Sequence, residues 1–318
     1  MASQWLITTP YNNDTLSTTT TATTITQSQN RALPRSNFLA RMGGTIRVVG
    51  VGTPTLTLDK VKVLVNGSQS VLDVRGGLLR AVQRYEQGSS KNGVLTSTTD
   101  LSLSFQYQFG RFLRDTQVIL PCKVYRSVDL QLNYTYGAST SVSLVAFDLW
   151  TEELVSNDDP TSKLIKRLIT IDVRAPGASS LNLVDLTPGG LLRAVYMWIA
   201  DLDDIGALQA TNATTNLVRI IGNGSDIPYS IRSDLIDGQM VGTYRFDDGL
   251  VPTAQANDAA VGTGTQVVYK IDFDLDDSLS RTIDTNRLNR LQVEYTAAAS
   301  GQSGNVEITQ EDIVPVVL

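Results

Sequence analysis

The sequence predicts an all-β protein: two tandem jelly-roll β-sandwiches, each with a short inserted helix, preceded by an extended N-terminal arm. Three observations carry that prediction. Leu101–Phe109 alternates apolar and polar residues with period two, as do Leu130–Tyr136 and Ser141–Leu149, which is the pattern of strands with one buried face. Similar short segments recur along the chain, separated by clusters of Gly, Asn, Asp and Pro. Matching segments also occur in the same order in both halves, which indicates one module used twice.

Residues 1–37 read as the arm. Thr15–Thr26 is dominated by threonine, and Gln27–Phe38 carries Pro34 and little apolar periodicity. From Thr15 to Leu58 there is no Asp or Glu, while Arg31, Arg35, Arg41 and Arg47 give a local charge of +4 in a chain of net charge -6.

The first module, 38–157, offers strands at Thr45–Val51, Thr55–Val65, Leu101–Phe109, Val118–Tyr125, Leu130–Tyr136 and Ser141–Leu149. Leu78, Val82 and Tyr85, four and three apart, predict a short amphipathic helix that Gly88 ends. Ser156–Pro160 is a polar joint that cannot continue a strand. The second module, 158–318, offers strands at Leu168–Val173, Leu217–Ile221, Val241–Phe246, Gln266–Leu275 and Leu291–Thr296. Leu191, Val195, Trp198 and Leu202 repeat the helical rhythm, with Gly206 as the stop.

The two predicted helices begin with the same seven residues, Gly76–Val82 and Gly189–Val195. Leu130–Thr135 resembles Leu291–Thr296, and Thr45–Val48 more weakly resembles Thr170–Val173. From Gly76 to Leu130 is 54 positions and from Gly189 to Leu291 is 102, so the second copy is longer by 48 in that interval. The excess falls on a loop insertion at about 207–265, rich in Asn, Asp, Gly and small residues. Modules of this size with a helix suit jelly rolls better than immunoglobulin sandwiches, which run near 100 residues.

Composition excludes much chemistry. With no histidine in 318 residues, Ser-His-Asp, Cys-His and HExxH mechanisms are absent, and one cysteine, Cys122, forms no intrachain disulfide or thiolate metal site. Such a chain suits a reducing cytoplasm. The acidic balance argues against phosphate neutralisation by the bulk surface. No apolar run reaches the roughly 20 residues of a bilayer-spanning helix. Asn-x-Ser/Thr triplets, among them those at Asn66, Asn133 and Asn212, read as ordinary polar positions.

Candidate sites are few. Asp272, Asp274 and Asp276 would share one face of a strand and suit calcium, with a solvated face as the plainer reading; Asp201, Asp203 and Asp204 pose the same choice. Gly76-Gly77 and Gly189-Gly190 lack the spacing of a phosphate loop and read as packing or turn glycines. Cys122, after Pro121, reads as a buried apolar residue. No catalytic residue, cofactor site or metal site is assigned.

The tandem module, the basic arm and the lack of catalytic groups resemble the double jelly-roll major capsid proteins of icosahedral viruses with an internal membrane. The size is similar to that of small bacteriophage members, such as the lipid-containing single-stranded DNA phage of flavobacteria. The resemblance is architectural and rests on no diagnostic motif. It implies a structural protein, not an enzyme. Three chains would form a pseudo-hexameric capsomer, capsomers would meet laterally and with minor capsid or vertex proteins, and the protein would reside in the virion after synthesis in the host cytoplasm. It also implies that the insertion forms an outer tower and that the arm, through Trp5, Arg31, Arg35 and Arg41, faces membrane lipid, without sequence-specific nucleic-acid binding. The alternative is a receptor-binding or lectin-like tandem sandwich, which would form a discrete small oligomer with a saccharide site.

Overall fold

The computed structural model describes residues 4–17, 24–52, 54–87, 94–97, 99–138, 140–155, 164–174, 180–199, 217–224, 226–232, 267–296 and 306–316. Among these the chain divides into two compact units: Gln4 to Arg167 with Pro315 and Val316, and Leu168 to Val314.

The first unit contains β1 (Gln4–Ser17), β2 (Ile25–Ala32), β3 (Phe38–Val51), β4 (Pro54–Val65), β5 (Gln69–Val74), the helix α1 (Gly76–Gln87), β6 (Val94–Ser97), β7 (Asp100–Gln108), β8 (Val128–Ala138) and β9 (Ser141–Val155). One sheet runs β1-β9-β3-β7-β6 and the other β5-β4-β8-β2. First pairs with last and second with next to last, as two interlocked Greek keys require. Along β7 and β8 alternate residues are buried, so Leu101, Leu103, Phe105 and Tyr107 from one sheet and Leu130, Leu132, Tyr134 and Tyr136 from the other contribute to the apolar interior. Tyr134 and Tyr136 stack at 5.9 Å.

Helix α1 buries Leu78, Leu79, Val82 and Tyr85, the spacing expected of a helix with one apolar face. Lys166, fully buried, ion-pairs with Glu86 at its end and lies 4.9 Å from the Tyr107 ring. Gly76 starts the helix because a Cβ there would come within 2.7 Å of Leu58.

The second unit contains β10 (Leu164–Arg174) from Leu168 onward, β11 (Leu181–Asp185), β12 (Leu191–Ile199), β13 (Leu217–Gly222), β14 (Asp226–Arg232), β15 (Val267–Asp272), β16 (Ile283–Asp284), β17 (Leu291–Thr296) and β18 (Val306–Pro315). Its sheets run β15-β12-β18-β10, with β16 beside β12, and β11-β17-β13-β14. Leaving out β6 and β16, the pairing order is that of the first unit, strand for strand. Two jelly rolls are therefore present, as the sequence predicts.

Several elements differ from expectation. The arm is not an appendage: β1 pairs with β9 from Gln4↔Val155 to Ser17↔Val145, and β2 pairs with β8 from Ile25↔Tyr136 to Ala32↔Asp129. They are the first and second strands of the first jelly roll. The predicted second helix is strand β12, paired with β15 and β18; Leu202 and Gly206 lie outside the described residues. Val118–Tyr125 is not a strand but two isolated bridges, at Val118 and Leu120, and a 3-10 turn at Cys122–Val124. The strand read as Gln266–Leu275 ends at Asp272. Within the expected insertion, β13 and β14 are regular strands; 207–216 and 233–265, with Val241–Phe246, lie outside the described residues, as does the joint at 156–160.

The repeats divide likewise. Leu130–Thr135 and Leu291–Thr296 fall on β8 and β17, which hold the same place in the two jelly rolls. Thr45–Val48 and Thr170–Val173 fall on β3 and β10, which do not. The identical heptapeptides fall on a helix and a strand, so the 48-residue excess does not measure one insertion.

Candidate functional site

The predicted carboxylate cluster serves the fold. Asp272 ion-pairs with Lys270 at 2.6 Å, both buried. Arg193 on β12, buried, reaches Asp274 at 3.2 Å, Glu311 on β18 at 2.6 Å, and Asp277; Tyr196 donates to Glu311 at 3.0 Å. Burial pushes the Asp274 carboxyl above its ordinary range, against the pull of Leu279 N–H and Arg193. The carboxylates thus pin the turn after β15 onto β12 and do not line one strand face. Among the described residues no group of three or more His, Cys, Asp or Glu is arranged for a metal. Asp201, Asp203, Asp204 and Asn212 lie outside the described residues.

The glycine pairs are packing and turn residues. A Cβ on Gly190 would stand 2.7 Å from the Ile313 carbonyl, and Gly189 has φ +112°. Cys122 is buried, which pushes its thiol up to about 12, so it is no nucleophile. Asn66 occupies a turn at φ +53° and Asn133 sits within β8.

The sequence-predicted arm residues are tied into the first jelly roll. Trp5 packs beside Phe38, Ala40, Ile119 and Leu154. Arg31 ion-pairs with Asp14 at 2.6 Å and lies over the Tyr11 ring. Arg41 pairs with buried Glu152 at 2.7 Å and stacks 5.2 Å from Trp150; Arg47 pairs with Asp100. Arg35, exposed, donates to the carbonyls of Tyr125 (3.1 Å) and Arg126. The +4 of the sequence is therefore not a surface charge of +4, because three of the four arginines meet carboxylates that the fold brings from elsewhere.

One end of the first unit has a different character, which the sequence reading missed. The connections 33–37, 66–68 and 109–127 meet there: Arg126 N–H donates to Asn66 Oδ1 at 2.8 Å, and Leu33 N–H donates to the Val128 carbonyl at 2.8 Å. Asp115 is buried and accepts from Arg111 Nε at 2.7 Å and from Gln117 N–H at 2.9 Å. Burial alone would raise its pKa, but these bonds hold it below the ordinary range. Around that knot Phe112 (46% exposed), Leu113 (55%) and the Arg114 side chain (58%) project outward. Arg114 adopts φ +62° and lies over the Trp5 ring at 5.7 Å. The available signal was Gly110-Arg111-Phe112-Leu113-Arg114 itself, an apolar pair between arginines after a strand.

No protein-family model and no curated protein matches the chain. Solved structures do. The major capsid protein of Sulfolobus Turreted Icosahedral Virus superposes with a TM-score of 0.65 at 14% identity, covering 98% of this chain and 97% of that one. The major capsid protein P2 of bacteriophage PM2 gives 0.59 at 10%, covering 99% and 98%, and the Faustovirus major capsid protein 0.54 at 10%, covering 99% and 91%. The chain has the double jelly-roll fold of viral major capsid proteins. At this identity the likeness extends to the fold alone.

Proposed function

We propose that the protein is a viral major coat protein whose double jelly rolls trimerise into pseudo-hexameric capsomers and build an icosahedral shell around a lipid layer. The observation that carries this reading is the strand order: eight strands pair in the same sequence in both units, and capsid proteins of that architecture are covered almost end to end. Among the described residues, prominent buried charges meet one another, as Arg193 meets Asp274 and Glu311 and Lys166 meets Glu86. Edge strand β11 exposes Leu181 (59%) and Leu183 (43%) on one face, a surface that a neighbouring copy would cover.

Lateral contacts between capsomers and contacts with minor capsid or vertex proteins belong to the same proposal. So do a virion location and a lipid-facing inner surface. For the lipid contact, Trp5, Arg31, Arg35 and Arg41 are the sequence candidates, and exposed Arg35 is the best placed of them.

The test is the mass of the purified protein in solution, followed by negative-stain images as concentration rises. Trimers that pack into hexagonal sheets or shells are expected, and Leu181→Ser with Leu183→Ser should weaken trimerisation about tenfold or more, each leucine burying on the order of 1.5 kcal/mol. A monomer or small closed oligomer indifferent to concentration would overturn the coat-protein reading in favour of an isolated binding module.

A further inference from the structure

We infer that the 109–127 connection of the first unit is a membrane-docking loop: Phe112 and Leu113 insert into the headgroup region of an anionic bilayer while Arg35, Arg114, Lys123 and Arg126 meet the lipid phosphates. The contact is thereby moved from the N-terminal strands to a different element.

The first argument is exposure. A Phe and a Leu stand side by side at a loop tip, about half exposed each, where the same unit buries Phe105, Phe109 and Phe147 almost completely. Such a pair costs free energy in water and is matched to a partner that takes apolar tips without needing a shaped groove.

The second argument is charge. Connections 33–37, 66–68 and 109–127 contain Arg35, Arg111, Arg114, Lys123 and Arg126 and one acid, Asp115. Asp115 is buried and bonded to Arg111, and the Glu152 that lies 3.6 Å from Arg114 is buried and shared with Arg41, so the outer surface of this end carries exposed Arg35, Arg114, Lys123 and Arg126 and no exposed Asp or Glu among those connections. In a chain of net charge -6 this concentrates positive potential on one face. Basic residues around Phe or Leu are the chemistry of interfacial membrane binding.

The third argument is backbone conformation. Arg114 takes a left-handed φ of +62°, which a non-glycine residue adopts at some cost, and the Arg111–Asp115 knot holds the loop in that shape. A rigid turn presents the apolar pair outward instead of letting it fold back.

A duplex would use the same cations but offers Phe112 and Leu113 no apolar partner, and a single strand would stack a base on Phe112 without covering Leu113, so lipid is the occupant the surface favours. The inference rests on the coat-protein reading for where a bilayer would lie, but the loop's chemistry is tested without assembly. Full-length protein is sedimented with vesicles of neutral lipid, with vesicles containing an anionic phospholipid, and with bare single- and double-stranded DNA, at low and moderate salt. Binding to anionic vesicles is expected, weakened by salt. It should fall about fivefold for each of Arg114→Gln and Arg126→Gln and at least tenfold for Phe112→Ser with Leu113→Ser, while Arg31→Gln leaves it unchanged. In a Phe112→Trp variant, brominated acyl chains should quench the added indole fluorescence.

Unchanged binding in the loop variants, tighter binding to DNA than to anionic vesicles, or an unquenched Trp at position 112 would overturn the inference. The loop variants lie on exposed side chains and should trimerise as the parent does. Vesicle binding through this loop by a protein that never assembles would refute the shell and leave the loop standing. Assembly with loop-independent vesicle binding would do the reverse.

Discussion

The same seven residues, Gly-Gly-Leu-Leu-Arg-Ala-Val, open helix α1 at Gly76 and run into strand β12 at Gly189. The residues on either side of the heptapeptide decide between the two states. Val82 leads into Gln83, Arg84, Tyr85, Glu86 and Gln87, mostly good helix formers, with Tyr85 continuing one apolar face. Val195 leads into Tyr196, Met197, Trp198 and Ile199, which favour a strand and can be buried on both sides. The N-terminal side differs too: Gly189 stands at φ +112° and breaks any helical approach. The heptapeptide itself is neutral, and its flanks and neighbours set its state.

The central arginine separates the two sites most sharply. Arg193 holds Asp274, Asp277 and Glu311, whereas burial pulls the Arg80 guanidinium down to about 10. The largest expected effect comes from this contrast. Arg193→Met leaves Asp274 and Glu311 buried without their cation and should cost about 3–5 kcal/mol, read as a lower denaturation midpoint of the second unit. Arg80→Met removes a charge that burial disfavours, and should cost less than Arg193→Met does. Equal losses would mean that Arg80 is as deeply engaged as Arg193.

Next in size is Gly190→Ala, whose Cβ meets the Ile313 carbonyl at 2.7 Å. Displacing β18 should cost about 1–3 kcal/mol, the usual range for overpacking, and a neutral result in urea unfolding would show that the strand yields.

A smaller effect is pH dependence confined to the strand copy. Because burial raises the Asp274 pKa in the folded state, the native protein keeps that proton to higher pH than the unfolded chain does. Its contribution to stability is therefore fullest below the ordinary carboxylate range and is lost as pH rises through the folded value. Asp274→Asn should flatten that decline when midpoints are compared across mildly acidic to neutral pH, and an unchanged slope would assign the titration elsewhere.

The smallest effect is local. A peptide of residues 76–87 should gain more helix in trifluoroethanol than one of residues 189–199, by circular dichroism, although both are marginal in water at this length. Equal helicity would shift the decision from the flanks to tertiary contacts.

This pair also explains what was legible in the sequence. Strands β7 and β8 show clean alternation because one face meets the core and the other does not. Strand β12 is buried on both faces, so its apolar residues form a run in which Leu191, Val195 and Trp198 imitate a helix. Strand β18 was invisible for the opposite reason: Glu307, Gln310, Glu311 and Asp312 are buried among partners distant in sequence. Strands β1 and β2 are largely Thr, Ser, Asn and Gln at the sheet edges, where backbone pairing holds them and no apolar face marks them. The arginines of residues 15–58 stand out in the sequence as a run along the chain, but only Arg35 of them belongs to the candidate docking end. The loop cations are spread over residues 35–126 and become one surface only when three connections meet.

In both units the opening strand is hydrogen-bonded to the closing one. During synthesis β1 must therefore wait until β9, more than a hundred residues later, has left the ribosome, and the first unit cannot close before then. Contacts so distant along the chain make folding slow and leave edges open meanwhile. The tandem order confines that exposure to one unit at a time, because β9 is made before β11 and the first sandwich can seal while the second is still being translated.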